Sequence, residues 1–143
     1  MSLKLRIRRL SVMVITALAL SACSGTIPSN KEQKEEKKLA NYEQLLRFAK
    51  MSESGGDMQM AKLRYSRAYK MRPKEVAPLA GIGRTSFAIG DFDVAAQAYN
   101  KLVHLKPNEG KARRDYGKSL IRIGKADIAV GQYEAALQIN PKD

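Results

Sequence analysis

Residues 90–107 read GDFDVAAQAYNKLVHLKP, and residues 124–141 read GKADIAVGQYEAALQINP. Laid over one another, the two stretches share Gly at the start, Ala at the sixth place, Tyr at the tenth and Pro at the end. A third copy, GDMQMAKLRYSRAYKMRP, occupies residues 56–73. Gly56, Gly90 and Gly124 therefore step by 34 residues, as do Ala61, Ala95 and Ala129, Tyr65, Tyr99 and Tyr133, and Pro73, Pro107 and Pro141. Such a period marks a stack of like units, each too small to bury its apolar face alone.

Each recurring residue has a mechanical role. Ala61, Tyr65 and Ala68 stand four and three apart, which is one face of a helix. Ala95, Tyr99 and Leu102 repeat that spacing, and so do Ala129, Tyr133 and Ala136. The prolines stop this helix, because Pro offers no N–H and crowds the preceding turn. The glycines end the helix before it, where a left-handed backbone costs Gly least. Asp57 and Asp91 come next and are candidates to cap the following helix. Upstream of each Gly, Leu45, Phe48 and Ala49, then Leu79, Ile82 and Gly83, form a second apolar set ending in a small residue. That small residue lets the two helices of a hairpin approach closely.

This order of Gly, Ala, aromatic and Pro at a 34-residue period resembles the tetratricopeptide repeat, or TPR. The resemblance covers roughly residues 42–143 and divides them into units 42–75, 76–109 and 110–143. It implies an all-α solenoid of helical hairpins wound as a right-handed superhelix, with a concave face lined mainly by first helices. Three departures are visible. Arg113 replaces a bulky apolar residue, Tyr116 replaces Leu, and Ser52 and Ser86 stand where the family often has Tyr.

Carried onto this chain, the concave positions are Glu43, Leu46, Lys50, Glu53 and Ser54, then Ala77, Ala80, Arg84, Phe87 and Ala88. The third unit adds Lys111, Arg114, Lys118, Ile121 and Arg122. The expected partner groove is Arg84, Phe87, Lys111, Arg114, Lys118, Ile121 and Arg122, increasingly basic toward the C-terminus. It suits a peptide with acidic and apolar residues, since Arg grips carboxylates with two hydrogen bonds. The set does not reproduce the family's carboxylate clamp cleanly.

The N-terminus has a different character. Lys4, Arg6, Arg8 and Arg9 precede an apolar run from Leu10 to Ala22, the plan of a secretory signal peptide. As a helix this run rises only about 20 Å, short of the roughly 30 Å hydrocarbon core. Leu20-Ser21-Ala22-Cys23 resembles the lipobox of bacterial lipoproteins. That likeness implies cleavage after residue 22, with diacylglycerol on the Cys23 sulfur and an acyl chain, palmitate for example, on its amine. Several chains anchor where one is marginal. Ser24, in place of Asp, implies the outer membrane, on its periplasmic face. Residues 23–38 comprise the acylated Cys and SGTIPSNKEQKEEKK, which has no apolar face and reads as a flexible tether or a frayed polar helix.

The whole chain carries +12, and removal of residues 1–22 takes away four basic residues and no acid. What remains stays basic, which favours acidic protein surfaces or anionic headgroups; export argues against nucleic acid. One Cys excludes an internal disulfide. His104 is the only His and has no companion ligand, and no nucleophile-base set is present, so neither a metal nor a catalytic site is expected. No cofactor or small-molecule substrate is expected either, and the chain reads as a scaffold, not an enzyme. Gly81-Ile82-Gly83 is too short for a phosphate loop.

In texture, residues 90–137 resemble the TadD group of tight-adherence (Flp) pilus and secretion lipoproteins, which implies contact with an outer-membrane secretin. The alternatives are a pilotin-like lipoprotein of type IV pili and a cell-envelope adaptor for outer-membrane insertion, peptidoglycan enzyme regulation or cytochrome maturation. Asp143 closes the third unit without a capping helix, so the Ala129, Tyr133 and Ala136 side is expected to meet further repeats, a second copy or the partner.

Overall fold

The computed structural model describes residues 29–141. The basic and apolar opening of residues 1–22, the Cys23 anchor and Asp143 lie outside them. The chain divides into two units, 1–39 and 40–143. Among the described residues six helices follow in order: α1 (Asn30–Ser54), α2 (Met58–Met71), α3 (Val76–Ala88), α4 (Phe92–Leu105), α5 (Gly110–Arg122) and α6 (Ala126–Ile139). Among the described residues there is no strand, and no helix is long and apolar enough to cross a membrane.

In the first unit, residues 30–38 take the helical form of the two forms left open for this segment. A capping box begins it: the Ser29 N–H donates to Glu32 Oε2 at 2.7 Å, and the Glu32 N–H donates to Ser29 Oγ at 3.3 Å. Lys38 pairs with Glu35 at 2.7 Å on the same solvated surface. These residues are all exposed, so local contacts alone hold the helix here.

In the second unit the helices obey the 34-residue register. α3 opens at Val76 and α5 at Gly110, the first residues of the second and third repeats. Gly56, Gly90 and Gly124 have φ of 84°, 81° and 76°, the left-handed backbone expected of them. The second helices end at Met71, Leu105 and Ile139, each two residues ahead of a Pro. The residue between (Arg72, Lys106 or Asn140) has φ near −140°, as a following Pro ring demands.

The caps differ from one repeat to the next. Asp57 accepts from the Met60 N–H at 3.0 Å and caps α2. Asp91 does not cap α4; Lys62 of the preceding repeat claims its carboxylate at 2.9 Å. The attraction of a half-buried ammonium there exceeds that of a backbone N–H.

The core follows the recurring residues. Ala61, Tyr65 and Ala68 are buried on α2, Ala95, Tyr99 and Leu102 on α4, and Ala129 and Ala136 on α6. Tyr65 packs with Ala49, Ala61, Ile82 and Ala98, and Tyr99 with Leu79, Ala95, Leu102, Val103 and Ala112. The close approach foreseen at the small residue is real: a Cβ on Gly83 would stand 2.6 Å from the Tyr99 ring, and one on Gly117 2.9 Å from the Tyr133 ring.

In the third repeat one departure is explained and one expectation is corrected. Arg113, at an apolar position, turns its head outward to Pro107 O at 3.0 Å and Gln132 Oε1 at 3.2 Å, so only its stem packs. The side of α6 that lacks cover is not that of Ala129, Tyr133 and Ala136. Those residues face α5, and Ile128, Val130, Leu137 and Ile139 are the exposed large apolar ones.

Candidate functional site

Glu53 closes α1, Arg84 sits midway along α3, and Lys111, Asp115 and Lys118 occupy successive turns of α5. The repeat register places all five on first helices, and the structure pairs their charges across and within repeats.

At the first junction, the Arg84 guanidinium grips Glu53 with two bonds, Nε to Oε1 at 2.7 Å and Nη2 to Oε2 at 3.0 Å. The Tyr65 hydroxyl donates to the same Oε2 at 2.7 Å. Three helices thus meet at one carboxylate. The Arg84 bond holds the Glu53 carboxyl below its ordinary range, with Tyr65 adding to it against partial burial. Burial, then the bond to Glu53, pushes the Tyr65 phenol up to about 12. Arg84 is raised in turn, chiefly by its bond to Glu53. The ring of Tyr65 lies flat against α3: a Cβ on Gly81 would stand 2.5 Å from it.

At the second junction the place of Gly81 is taken by Asp115. This carboxylate accepts from Lys111 Nζ at 2.6 Å and from Lys118 Nζ at 3.3 Å. Two ammonium groups share one acid, which leaves a local excess of one positive charge. A hollow of about 260 Å³ opens here, lined by Arg84, Phe87, Tyr99, Lys111, Asp115 and Lys118. Burial raises the Tyr99 phenol strongly, and the Asp115 charge adds to the effect, so it is a neutral donor at physiological pH.

Of the seven residues expected in the partner groove, the hollow brings together Arg84, Phe87, Lys111 and Lys118. Arg114, Ile121 and Arg122 do not line it. Arg122 lies 4.1 Å over the Phe92 ring, and Phe92 meets Phe87 edge-on at 5.2 Å, so this guanidinium covers an aromatic pair. Ile121 is exposed. Sequence reasoning missed Asp115 and Tyr99 as wall residues. The signal for Asp115 was present: it stands four residues after Lys111 and three before Lys118, the helical spacing for ion pairs.

His104 is exposed near the end of α4, and among the described residues no three His, Cys, Asp or Glu gather as metal ligands. The hollow offers a cationic pair, a carboxylate, a phenol and an apolar wall. A ligand carboxylate can take the surplus charge of Lys111 and Lys118, while a ligand cation can take Asp115. Phe87 offers contact to an apolar side chain between them. Such a surface is complementary in charge and polarity to an extended peptide with acidic and apolar residues.

Solved structures share this fold at low identity. The first TPR of Spaghetti (RPAP3), bound to the HSP90 peptide SRMEEVD, matches with a TM-score of 0.68 at 20% identity over 73% of this chain and 82% of that one. The type III secretion translocator chaperone SycD of Yersinia enterocolitica matches with a TM-score of 0.66 at 17% identity over 73% and 79%. An O-GlcNAc transferase of Thermobaculum terrenum matches with 0.65 at 20% over 81% of this chain, which spans only 21% of that enzyme. No curated protein sequence matches. The sequence model of the tetratricopeptide repeat matches residues 55–110 and 81–143, more than half of the chain. With its 34-residue register, left-handed glycines and the paired helices of its described residues, the chain belongs to the tetratricopeptide repeat family.

Proposed function

We propose that this protein is a lipid-anchored adaptor on the periplasmic face of the outer membrane. It helps assemble a pilus or secretion apparatus of the tight-adherence (Tad/Flp) type by holding a peptide segment of a partner, a secretin being the candidate. The observation that carries the binding half is the hollow between α3, α4 and α5, where Phe87 lies beside the Lys111–Asp115–Lys118 cluster. A TPR of like fold holds an acidic and apolar peptide, SRMEEVD, which supports the same ligand class for this groove. The anchoring half rests on the resemblance of Leu20-Ser21-Ala22-Cys23 to a lipobox, and the Tad assignment on the texture of residues 90–137.

The test is photocrosslinking in cells. A benzoylphenylalanine at position 87 is expected to yield an adduct with the secretin, lost when Lys111 and Lys118 are both changed to Glu. An adduct that survives the charge reversal, or that forms only with cytochrome-maturation or murein enzymes, overturns the proposal. Labelled palmitate entering wild type and Cys23→Ala alike overturns the anchor.

A further inference from the structure

The outer side of α2 combines charge and apolar surface in a way that the other second helices do not. Ala61, Tyr65 and Ala68 define its buried face, at most 1% exposed. At 100° per residue the opposite stripe is Gln59, Met60, Leu63, Arg67, Lys70 and Met71, all exposed. Leu63 lies at its centre, 43% exposed, with Met60 and Met71 along one edge. A hollow of about 440 Å³ runs beside Met60 and Leu63.

The helix has four basic residues, Lys62, Arg64, Arg67 and Lys70, and no acid. Two of them are used inside the fold. Lys62 holds Asp91, and Arg64 donates to Phe48 O at 3.0 Å and to Ser52 Oγ. Arg67 and Lys70, on the outer stripe, make no ion pair or hydrogen bond among the described residues. The flanking acids stand at the ends of the helix: Asp57 caps it, and Glu75 follows the turn beyond Pro73.

The same places in the other repeats serve as an internal comparison. Where α2 has Gln59, α4 has Asp93 and α6 has Asp127. Where α2 has Arg67 and Lys70, α6 has Ala135 and Gln138. On α4 those places hold Lys101, which lies 5.4 Å over the Tyr69 ring, and His104. Packing therefore does not require a cationic back; of the three second helices, only α2 has Lys or Arg at both places.

We infer that this stripe of α2 is a membrane-contact surface, which lays Met60, Leu63 and Met71 into the interface of an anionic phospholipid leaflet while Arg67 and Lys70 meet its headgroups. An apolar centre beside cations, with acids absent, is the composition of helices that lie in a bilayer surface. Charge selects the occupant: anionic lipid satisfies both cations at once, and each contributes about five-fold in partitioning. The inference uses none of the groove residues, so either reading can fail while the other stands.

Benzoylphenylalanine at position 63, or at Gln97 as a control, in the full chain on vesicles tests this. The vesicles are phosphatidylethanolamine with phosphatidylglycerol, or phosphatidylcholine alone. Lipid adducts at position 63 are expected on the phosphatidylglycerol vesicles, several-fold above those at 97 and above those on phosphatidylcholine. The double change Arg67→Glu, Lys70→Glu is expected to abolish that excess while the circular dichroism of the chain is unchanged. Should the double variant lose helix, Arg67→Gln, Lys70→Gln serves in its place, with the same loss expected. Equal yields at 63 and 97, equal yields on both vesicle types, or adducts at 63 only with an added acidic protein would each overturn the inference.

Discussion

The two junctions between repeats are built on one register and end differently. At the first, Gly81 lets the Tyr65 ring lie on α3, and Glu53, Tyr65 and Arg84 close over it as a three-way polar contact. At the second, the equivalent place holds Asp115, the acid is taken by lysines of its own helix, and a hollow remains beside Tyr99. Three exchanges in register, Phe87 for Glu53, Asp115 for Gly81 and Lys118 for Arg84, separate the sealed junction from the one that keeps a hollow. The polar groups in the two are of the same kinds. What differs is whether the carboxylate reaches across the junction or is held along one helix.

The sharpest way to break the sealed junction is to add one carbon. Gly81→Ala places a methyl 2.5 Å from the Tyr65 ring, which is itself buried and cannot swing aside. Overpacking of this kind costs about 1–3 kcal/mol, more than the roughly 1 kcal/mol that Ala gains over Gly in a helix. Net destabilisation in urea is expected. Gly117→Ala, with its closest approach of 2.9 Å to a Tyr133 ring that is only half-buried, should cost less. Equal costs would show that the first junction is no tighter than an ordinary hairpin.

Next in size is Tyr65→Phe, which removes one bond to an ionised partner and should cost about 1 kcal/mol near neutral pH. Two titrations sharpen it. Because the Tyr65 phenol is raised to about 12 in the fold, its contribution is whole below its ordinary pKa near 10 and fades as pH climbs through about 12. Because Glu53 is depressed, its contribution is present above the ordinary carboxylate range and lost as pH falls through the lower folded value. Wild type and Tyr65→Phe should therefore converge in stability at strongly alkaline pH, and Glu53→Gln should approach wild type in acid. Unfolding curves across pH, with phenolate absorbance, provide the check.

The smallest effect on stability is expected from Asp115→Ala, within about 0.5 kcal/mol, since the paired lysines are more than half exposed. Binding should change more. With the shared acid gone, an acidic peptide containing leucine should bind several-fold tighter at low salt and lose that gain as salt is raised. Weaker binding would show that Asp115 positions the lysines for the ligand.

Much of the fold was legible because it repeats. Gly90, Tyr99 and Pro107 each have a counterpart 34 residues away on both sides, so the helix ends and the packing faces follow from three copies of one argument. The site was less legible because it lies where the copies differ. Glu53 with Arg84 spans 31 residues between repeats, and nothing in local spacing predicts that two helices bring these ends together. Asp91 shows the same limit: it occupies a capping place, yet a lysine 29 residues earlier outcompetes the helix. Ser86 is a third case. It fills a place often held by Tyr in related repeats, and its hydroxyl is buried without a partner, which the sequence shows only as a missing aromatic.

The principal contacts of the repeats run from each helix to the next in sequence: α2 with α3, α3 with α4, α4 with α5 and α5 with α6. Mechanically this is a row of links, cross-braced near its first junction only by the ion pairs Glu53–Arg84 and Lys62–Asp91. Such a row opens from its ends inward, and a fault at one joint lets the pieces on either side breathe separately. α3, with seven of thirteen residues buried, is the link with the most to lose and should exchange its amide protons last. A ligand seated between α3 and α5 would span the fourth helix and supply the brace that the covalent order of the chain leaves out.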